Sequence, residues 1–192
     1  MPRTPEQYEE IRNEKKRVIM NAALELFANE GFHATSISKI AEKANISKGL
    51  MYNYFSSKEE LLAEIINAGF HEFIDLFDQN KDGILTDEEF VFFINTLFVV
   101  LHENVSYWRL FYSLLLQPSV FQLMGPKINE WYVPLIQSLE KYFQDKSFEN
   151  PKVEALMFGS LLDGIGFHYV MNPEIYPVKE VKQHLIKKYI TG

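Results

Sequence analysis

Between Thr35 and Glu60, small polar residues recur at a spacing that leaves room only for short helices. Thr35 and Ser36 can cap a segment running to Ala44, whose inner face is Ile37, Ile40, Ala41 and Ala44. Asn45-Ile46-Ser47 follows as a turn. Asparagine is one of the few residues besides glycine that accepts a left-handed backbone, and Ser47 can cap a second short helix reaching Phe55. Two short helices joined by so tight a turn, the second opened by a serine and a lysine, present a helix end-on, as entry into a major groove requires. A plain helical hairpin has the same spacing, so the pattern alone leaves both readings open.

Elsewhere no stretch sustains the period-two alternation of a half-buried strand, and an all-α fold is predicted. The first helix runs from about Pro5 to Asn29, with Val18, Ala22, Leu26 and Ile19, Ala23, Phe27 recurring at helical spacing and Gly31 as its stop. Ser57-Lys-Glu-Glu60 is a capping box that opens a fourth helix over 58–77. Further helices are predicted at 87–103, 105–117, 120–145, 151–171 and 177–190, with Pro126 and Pro134 expected to break or kink the seventh. The expected division is a helix-turn-helix domain at 1–57 and a second helical domain at 58–192, with the fourth helix able to transmit movement between them.

Charge sharpens that division. The net charge of −7 argues against nucleic acid as a partner, but residues 1–62 balance nine basic against nine acidic side chains, so the whole surplus lies downstream. Within 12–58 there are eight basic residues and four acidic ones, enough for this segment to face phosphate. The absence of cysteine excludes disulfides, thiolate metal sites and cysteine nucleophiles. The apolar run Val91–Leu101 contains Asn95 and Thr96 and reads as a buried helix, since a membrane span needs about 20 residues. No apolar stretch follows the basic start, so no secretory signal is read and a cytoplasmic location is expected.

The run Thr35-Ser-Ile-Ser-Lys-Ile-Ala41-Glu-Lys-Ala-Asn-Ile-Ser47-Lys-Gly-Leu-Met-Tyr52-Asn-Tyr-Phe55-Ser-Ser-Lys58-Glu-Glu-Leu61 resembles the N-terminal signature of the tetracycline-repressor (TetR) family. The preceding Leu26-Phe-Ala-Asn-Glu-Gly31-Phe32 resembles it too. Asn45 departs from the glycine most usual there, but it accepts the same turn. The resemblance implies a homodimeric regulator, usually a repressor, that binds a near-palindromic double-stranded DNA operator. It places Thr35, Ser36, Ser47, Lys48 and Gly49 at helix starts facing the DNA, Tyr52 and Lys58 as phosphate clamps, and Leu50, Asn53 and Tyr54 within reach of the groove.

Asp78-Gln-Asn80-Lys-Asp82-Gly83-Ile84-Leu-Thr86-Asp-Glu-Glu89 fits the EF-hand loop pattern at every fixed position. A hard cation wants six to eight oxygens. Asp78, Asn80 and Asp82, the Ile84 carbonyl, Thr86 directly or through water, and both oxygens of Glu89 would supply them to Ca2+ or Mg2+. The apolar stripes Phe70, Phe73, Ile74, Phe77 and Phe90, Phe93, Ile94, Leu97 flank the loop as in an EF-hand. An alternative needs no ion: Asp-Asn-Asp-Gly as a turn, and Thr86 to Glu89 as a capping box. If an ion binds, it could set the angle between the fourth and fifth helices and so act as a switch on DNA binding.

Trp108, Phe111, Tyr112, Phe121, Met124, Trp131 and His168 are candidates to line a pocket for a small apolar effector, with core packing as the alternative use of the same residues. Gly159, Gly164 and Gly166 would permit close approach of a partner helix, which with the last helix resembles the family's dimer interface. No phosphate loop, nucleophile elbow or paired histidines point to an enzyme. Two other readings stay open: a calcium-dependent interaction protein with a vestigial helix-turn-helix, and a regulator controlled only by an apolar effector, with a structural ion.

Overall fold

The structure is a computed structural model and describes residues 4–80 and 82–191. Met1–Arg3, on which the leader reading partly rests, and Lys81, inside the predicted calcium loop, lie outside the described residues. Among the described residues there is no strand, and the helices are α1 (Pro5–Glu30), α2 (Ile37–Lys43), α3 (Lys48–Tyr52), α4 (Lys58–Phe77), α5 (Asp87–Glu103), α6 (Val105–Leu115), α7 (Pro118–Asp145), α8 (Pro151–Met171) and α9 (Val178–Ile186). A π-helical turn, Lys187–Thr191, continues α9. The all-α expectation holds.

The chain forms two compact units. One holds the residues up to Ala68 together with Leu110–Met124; the other holds Gly69–Arg109 and the residues from Gly125 onward. The division expected from sequence, at 57/58, follows a helix cap. By compactness the first unit takes in the first eleven residues of α4 and the α6–α7 corner. That assignment has a visible cause within the first unit. The Gln117 side-chain amide donates to the Phe27 carbonyl at 2.8 Å and accepts from the Phe32 N–H at 3.2 Å. One glutamine thus gives the Phe27 carbonyl a second donor beside the Gly31 N–H and gives the Phe32 N–H its acceptor.

The local signals are realised in detail. Thr4 caps α1 in a capping box with Gln7, and Gly31 ends it at φ +92° with its N–H on Phe27 O. Asn45 takes the left-handed conformation at φ +54°. An Asn45→Val substitution should therefore destabilise the first unit by about 1–2 kcal/mol, whereas Asn45→Gly should be nearly neutral. Thermal unfolding of the two variants checks this; equal losses would show that the turn is not what holds the position.

Three expectations need adjustment. The third helix ends at Tyr52, not Phe55, because the Asn53 and Tyr54 N–H groups pair three residues back and tighten the chain into turns. The last helix is α-helical only to Ile186. The seventh helix is not interrupted: α7 runs through both Pro126 and Pro134. Each proline removes one N–H, which a helix of this length survives. Among the described residues no single helix is long and apolar enough to cross a membrane; α5 and α6 would pass only as a pair, and they bend by 97° at their junction.

Candidate functional site

The start of α3 is built from beneath. Met51 is fully buried, Ile40, Ala41 and Phe55 close the core around it, and Ser47 fixes the first turn by accepting the Leu50 N–H at 3.1 Å. What remains outward is Lys48, Gly49, Leu50 and Tyr52, with Asn53 beyond them and Tyr54 half-buried. A Cβ at Gly49 would meet nothing within 4 Å. The fold itself does not require glycine there; the small residue leaves open space at the end of the helix that faces out. Ser36 plays the same capping part for α2, accepting the Lys39 N–H.

Two predicted contacts are placed otherwise. Thr35 is buried, and its hydroxyl donates to the carbonyls of Gly31 at 2.9 Å and Leu26 at 3.3 Å, so it locks the loop after α1 and is turned away from solvent. Lys58 also points inward. Its ammonium donates to the carbonyls of Phe32 at 2.8 Å, Thr35 at 2.9 Å and His33 at 3.4 Å, and lies 4.5 Å from the centre of the Phe32 ring. Three donors on three carbonyls make Lys58 a brace for the α1–α2 loop instead of an exposed clamp. The pattern of small residues and lysines marks both positions but carries no information about which way the side chains turn.

The other cations of this unit divide sharply. Lys16 pairs with Glu64, Arg17 with Glu14, Lys39 with Glu30 and Lys43 with Glu25, at 2.5–2.8 Å. Among the described residues Lys48, Arg12 and Lys15 form no ion pair, and all three are exposed.

In the second unit the loop between α4 and α5 folds onto its own backbone. Asp78 accepts the Asp82 and Gly83 N–H groups, Asn80 accepts that of Asp82, and Asp82 accepts that of Ile84. Gly83 makes the bend at φ +77°. Glu89, 9% exposed, forms a full capping box with Thr86, and its other oxygen accepts the Gln79 N–H at 3.2 Å. The capping alternative is therefore the arrangement present, and among the described residues no group of three or more His, Asp or Glu side chains is disposed as a metal site. Asp87 ties the loop's exit to α7: it accepts from Tyr142 at 2.7 Å and from Lys146 at 2.5 Å. Burial alone would raise the Asp87 carboxyl, but these two hydrogen bonds outweigh it and hold it below the usual carboxylate range. The Tyr142 phenol is pushed up in turn, by burial first and then by Asp87.

Beside this loop lies a cavity of about 330 Å³, lined by His71, Ile74, Phe77, Asp78, Gly83, Leu85, Glu130, Trp131, Pro134, Leu135, Ser138 and Leu139. Of the residues predicted to line a pocket only Trp131 is there. Trp108 is a core side chain whose ring lies 4.6 Å from that of Phe73, inclined at 43°, and His168 is exposed. Phe111, Tyr112, Phe121 and Met124 belong to the first unit, Phe111 and Met124 buried and Phe121 exposed. Aromatic richness locates a helical core readily, but a void depends on which side chains fail to meet, and periodicity does not show that.

Residues 19–65, which comprise the last twelve residues of α1, all of α2 and α3 and the start of α4, match the family model for bacterial regulatory proteins of the tetR family. The match is to the amino-terminal part of the chain. Over 183 residues the chain is 24% identical to the fatty acid metabolism regulator protein of Bacillus subtilis, covering 91% of this chain and 93% of that one. A second relative, the uncharacterized HTH-type transcriptional regulator YuxN of Bacillus subtilis, is 48% identical over 54 residues, 28% of this chain and 19% of that protein. The chain spans only a fifth of that protein's length in this match. The fold matches that of the transcriptional regulator FadR from Bacillus subtilis, solved in complex with stearoyl-CoA, with a TM-score of 0.69 at 21% identity over 92% of this chain and 98% of that one. These relatives are transcriptional regulators, not enzymes.

Sequence reading overlooked Gln117, the residue that joins the α6–α7 corner to the end of α1. Its partners are 85 and 90 residues away in the chain, so no local pattern marks it. The glycines of α8 are also unequal. A Cβ at Gly159 would meet Ile136 at 3.3 Å within the same unit, whereas one at Gly164 meets nothing.

Proposed function

We propose that this chain is a sequence-specific, homodimeric repressor in which α3 reads an operator and the second unit responds to ligands. The observation that carries the proposal is the outward end of α3, where Lys48, Gly49 and Leu50 stand exposed over the buried Met51 with no carboxylate paired to the lysine. Dimerisation is supported by α8, which exposes Val153, Leu156, Met157 and Leu161 as an apolar stripe. Sedimentation should give twice the 22.5 kDa of one chain, and Met157→Glu should yield monomers that lose DNA affinity. Monomers that bind duplex DNA as tightly as the wild type would contradict the dimeric reading.

The loop 78–89 is proposed to take Ca2+, with Mg2+ as the weaker alternative, exchanging backbone contacts for the oxygens of Asp78, Asn80, Asp82, Ile84, Thr86 and Glu89. The donor set, its spacing and the bend at Gly83 support this reading. Glu89 allows the two uses of the loop to be separated, because glutamine also completes a capping box but is a poor cation ligand. Calcium should raise the thermal midpoint of the wild type and leave Glu89→Gln unmoved. A wild type indifferent to both calcium and chelator would leave the loop as a cap only. Bound calcium would fix the angle between α4 and α5 and so bias operator binding.

The cavity beside the loop is proposed as the effector site. Its volume is at the lower end of the range for small-molecule sites, and its lining is mainly apolar around Trp131. One relative is a fatty acid metabolism regulator and a structural neighbour holds stearoyl-CoA, which makes an acyl chain the first candidate. Quenching of Trp131 fluorescence by stearoyl-CoA in a Trp108→Phe background tests it; no quenching at saturating ligand would exclude that class.

A further inference from the structure

The first three turns of α1 reach beyond the core. Residues 5–15 are exposed throughout, and the first buried side chain of the helix is Ile19. With about 100° per residue, Tyr8, Arg12 and Lys15 fall within about 60° of one another, on the same face as Ile19. Glu6, Glu10 and Glu14 lie on the opposite face, where Arg17 is bound to Glu14. A fully exposed helix has no packing reason to sort its charges in this way.

The basic face has a defined neighbour. The Arg12 guanidinium lies 6.0 Å from the centre of the Tyr54 ring, just past the end of α3, and the Lys16 ammonium lies 5.5 Å from the ring of Phe55. Lys16 is neutralised by Glu64, but Arg12 and Lys15 have no carboxylate partner among the described residues. Together with Lys48 they are cations left without such a partner, beside the helix presented to the groove.

We propose that the amino-terminal half of α1 is a second DNA-contacting arm, in which Arg12 and Lys15 meet backbone phosphates flanking the groove read by α3. Tyr8 adds a hydroxyl on the same face, and stacking on Tyr54 pre-orients Arg12 so that little side-chain freedom is lost on contact. The acidic face turns outward, away from the polyanion. This inference rests on the DNA-binding reading of the first unit.

The test uses the full chain and a random-sequence duplex, with affinity measured across a salt series. Each phosphate contact removed should make the slope of log K against log salt shallower by about 0.9. Arg12→Gln with Lys15→Gln should therefore flatten the slope by about 2 for each protomer on the DNA and weaken binding at least tenfold at moderate salt. Glu6→Gln with Glu10→Gln, a charge change of equal size and opposite sign on the opposite face, should leave the slope as it is. If the wild type is steeply salt-dependent and the Arg12/Lys15 variant keeps that slope, the arm is overturned while the DNA-binding reading stands. A wild type with no salt-dependent binding would overturn both.

Discussion

Phe90→Ala is expected to lower the unfolding free energy of the chain by about 3–5 kcal/mol. Phe90 is fully buried in the second unit and stacks on Tyr142 at 5.0 Å and 14°, with Phe158 at 4.8 Å, Tyr189 at 6.1 Å and Phe143 at 6.4 Å around it. Aromatic rings cannot close over so large a void without leaving their own contacts, so most of the cavity would persist. The loss is a large share of the 5–15 kcal/mol that holds a typical domain. Because Phe90 follows Glu89, the capping box and the Asp87 tether to α7 would weaken with it. Denaturant unfolding should show a lower midpoint with an unchanged slope; a loss below about 1 kcal/mol would mean that the ring cluster repacks freely.

The second large effect is expected at Lys58. Replacing it with methionine keeps the apolar stem but leaves the carbonyls of Phe32 and Thr35 without their charged donor and removes the cation from the Phe32 ring. The cost should be about 2–3 kcal/mol, with loosening of the loop between α1 and α2. The DNA consequence separates two roles. A brace predicts weaker binding with an unchanged salt slope, since no phosphate contact is lost. A phosphate clamp predicts a slope shallower by about 0.9 per protomer.

How much of this was legible beforehand depends on the range of the interaction. Caps and the turn at Asn45 are set by residues within four positions of one another; Ser36, Ser47, Gly31 and Asn45 act as read, while the Glu60 carboxylate of the predicted Ser57 box accepts the Ser56 N–H instead. The direction of a long side chain is not local. Lys58 and Thr35 are the right residue types for DNA contact, yet carbonyls of the loop between α1 and α2 claim both. Gln117 could not be found at all, because an amide between two helices has no periodic signature. Proline at 126 and 134 signals a break that the length and packing of α7 override. Glu89 illustrates a further limit: one glutamate satisfies an ion-binding pattern and a capping box equally, and spacing does not distinguish them.

Selection of binding sites from a random duplex pool by the full chain, run in parallel with calcium and with chelator, tests the regulatory function most directly. A near-palindromic site with two half-sites about one helical turn apart should be enriched, and its yield should differ between the two conditions. Enrichment of no sequence over the starting pool, in a chain that sediments as a folded dimer, would contradict operator recognition by α3.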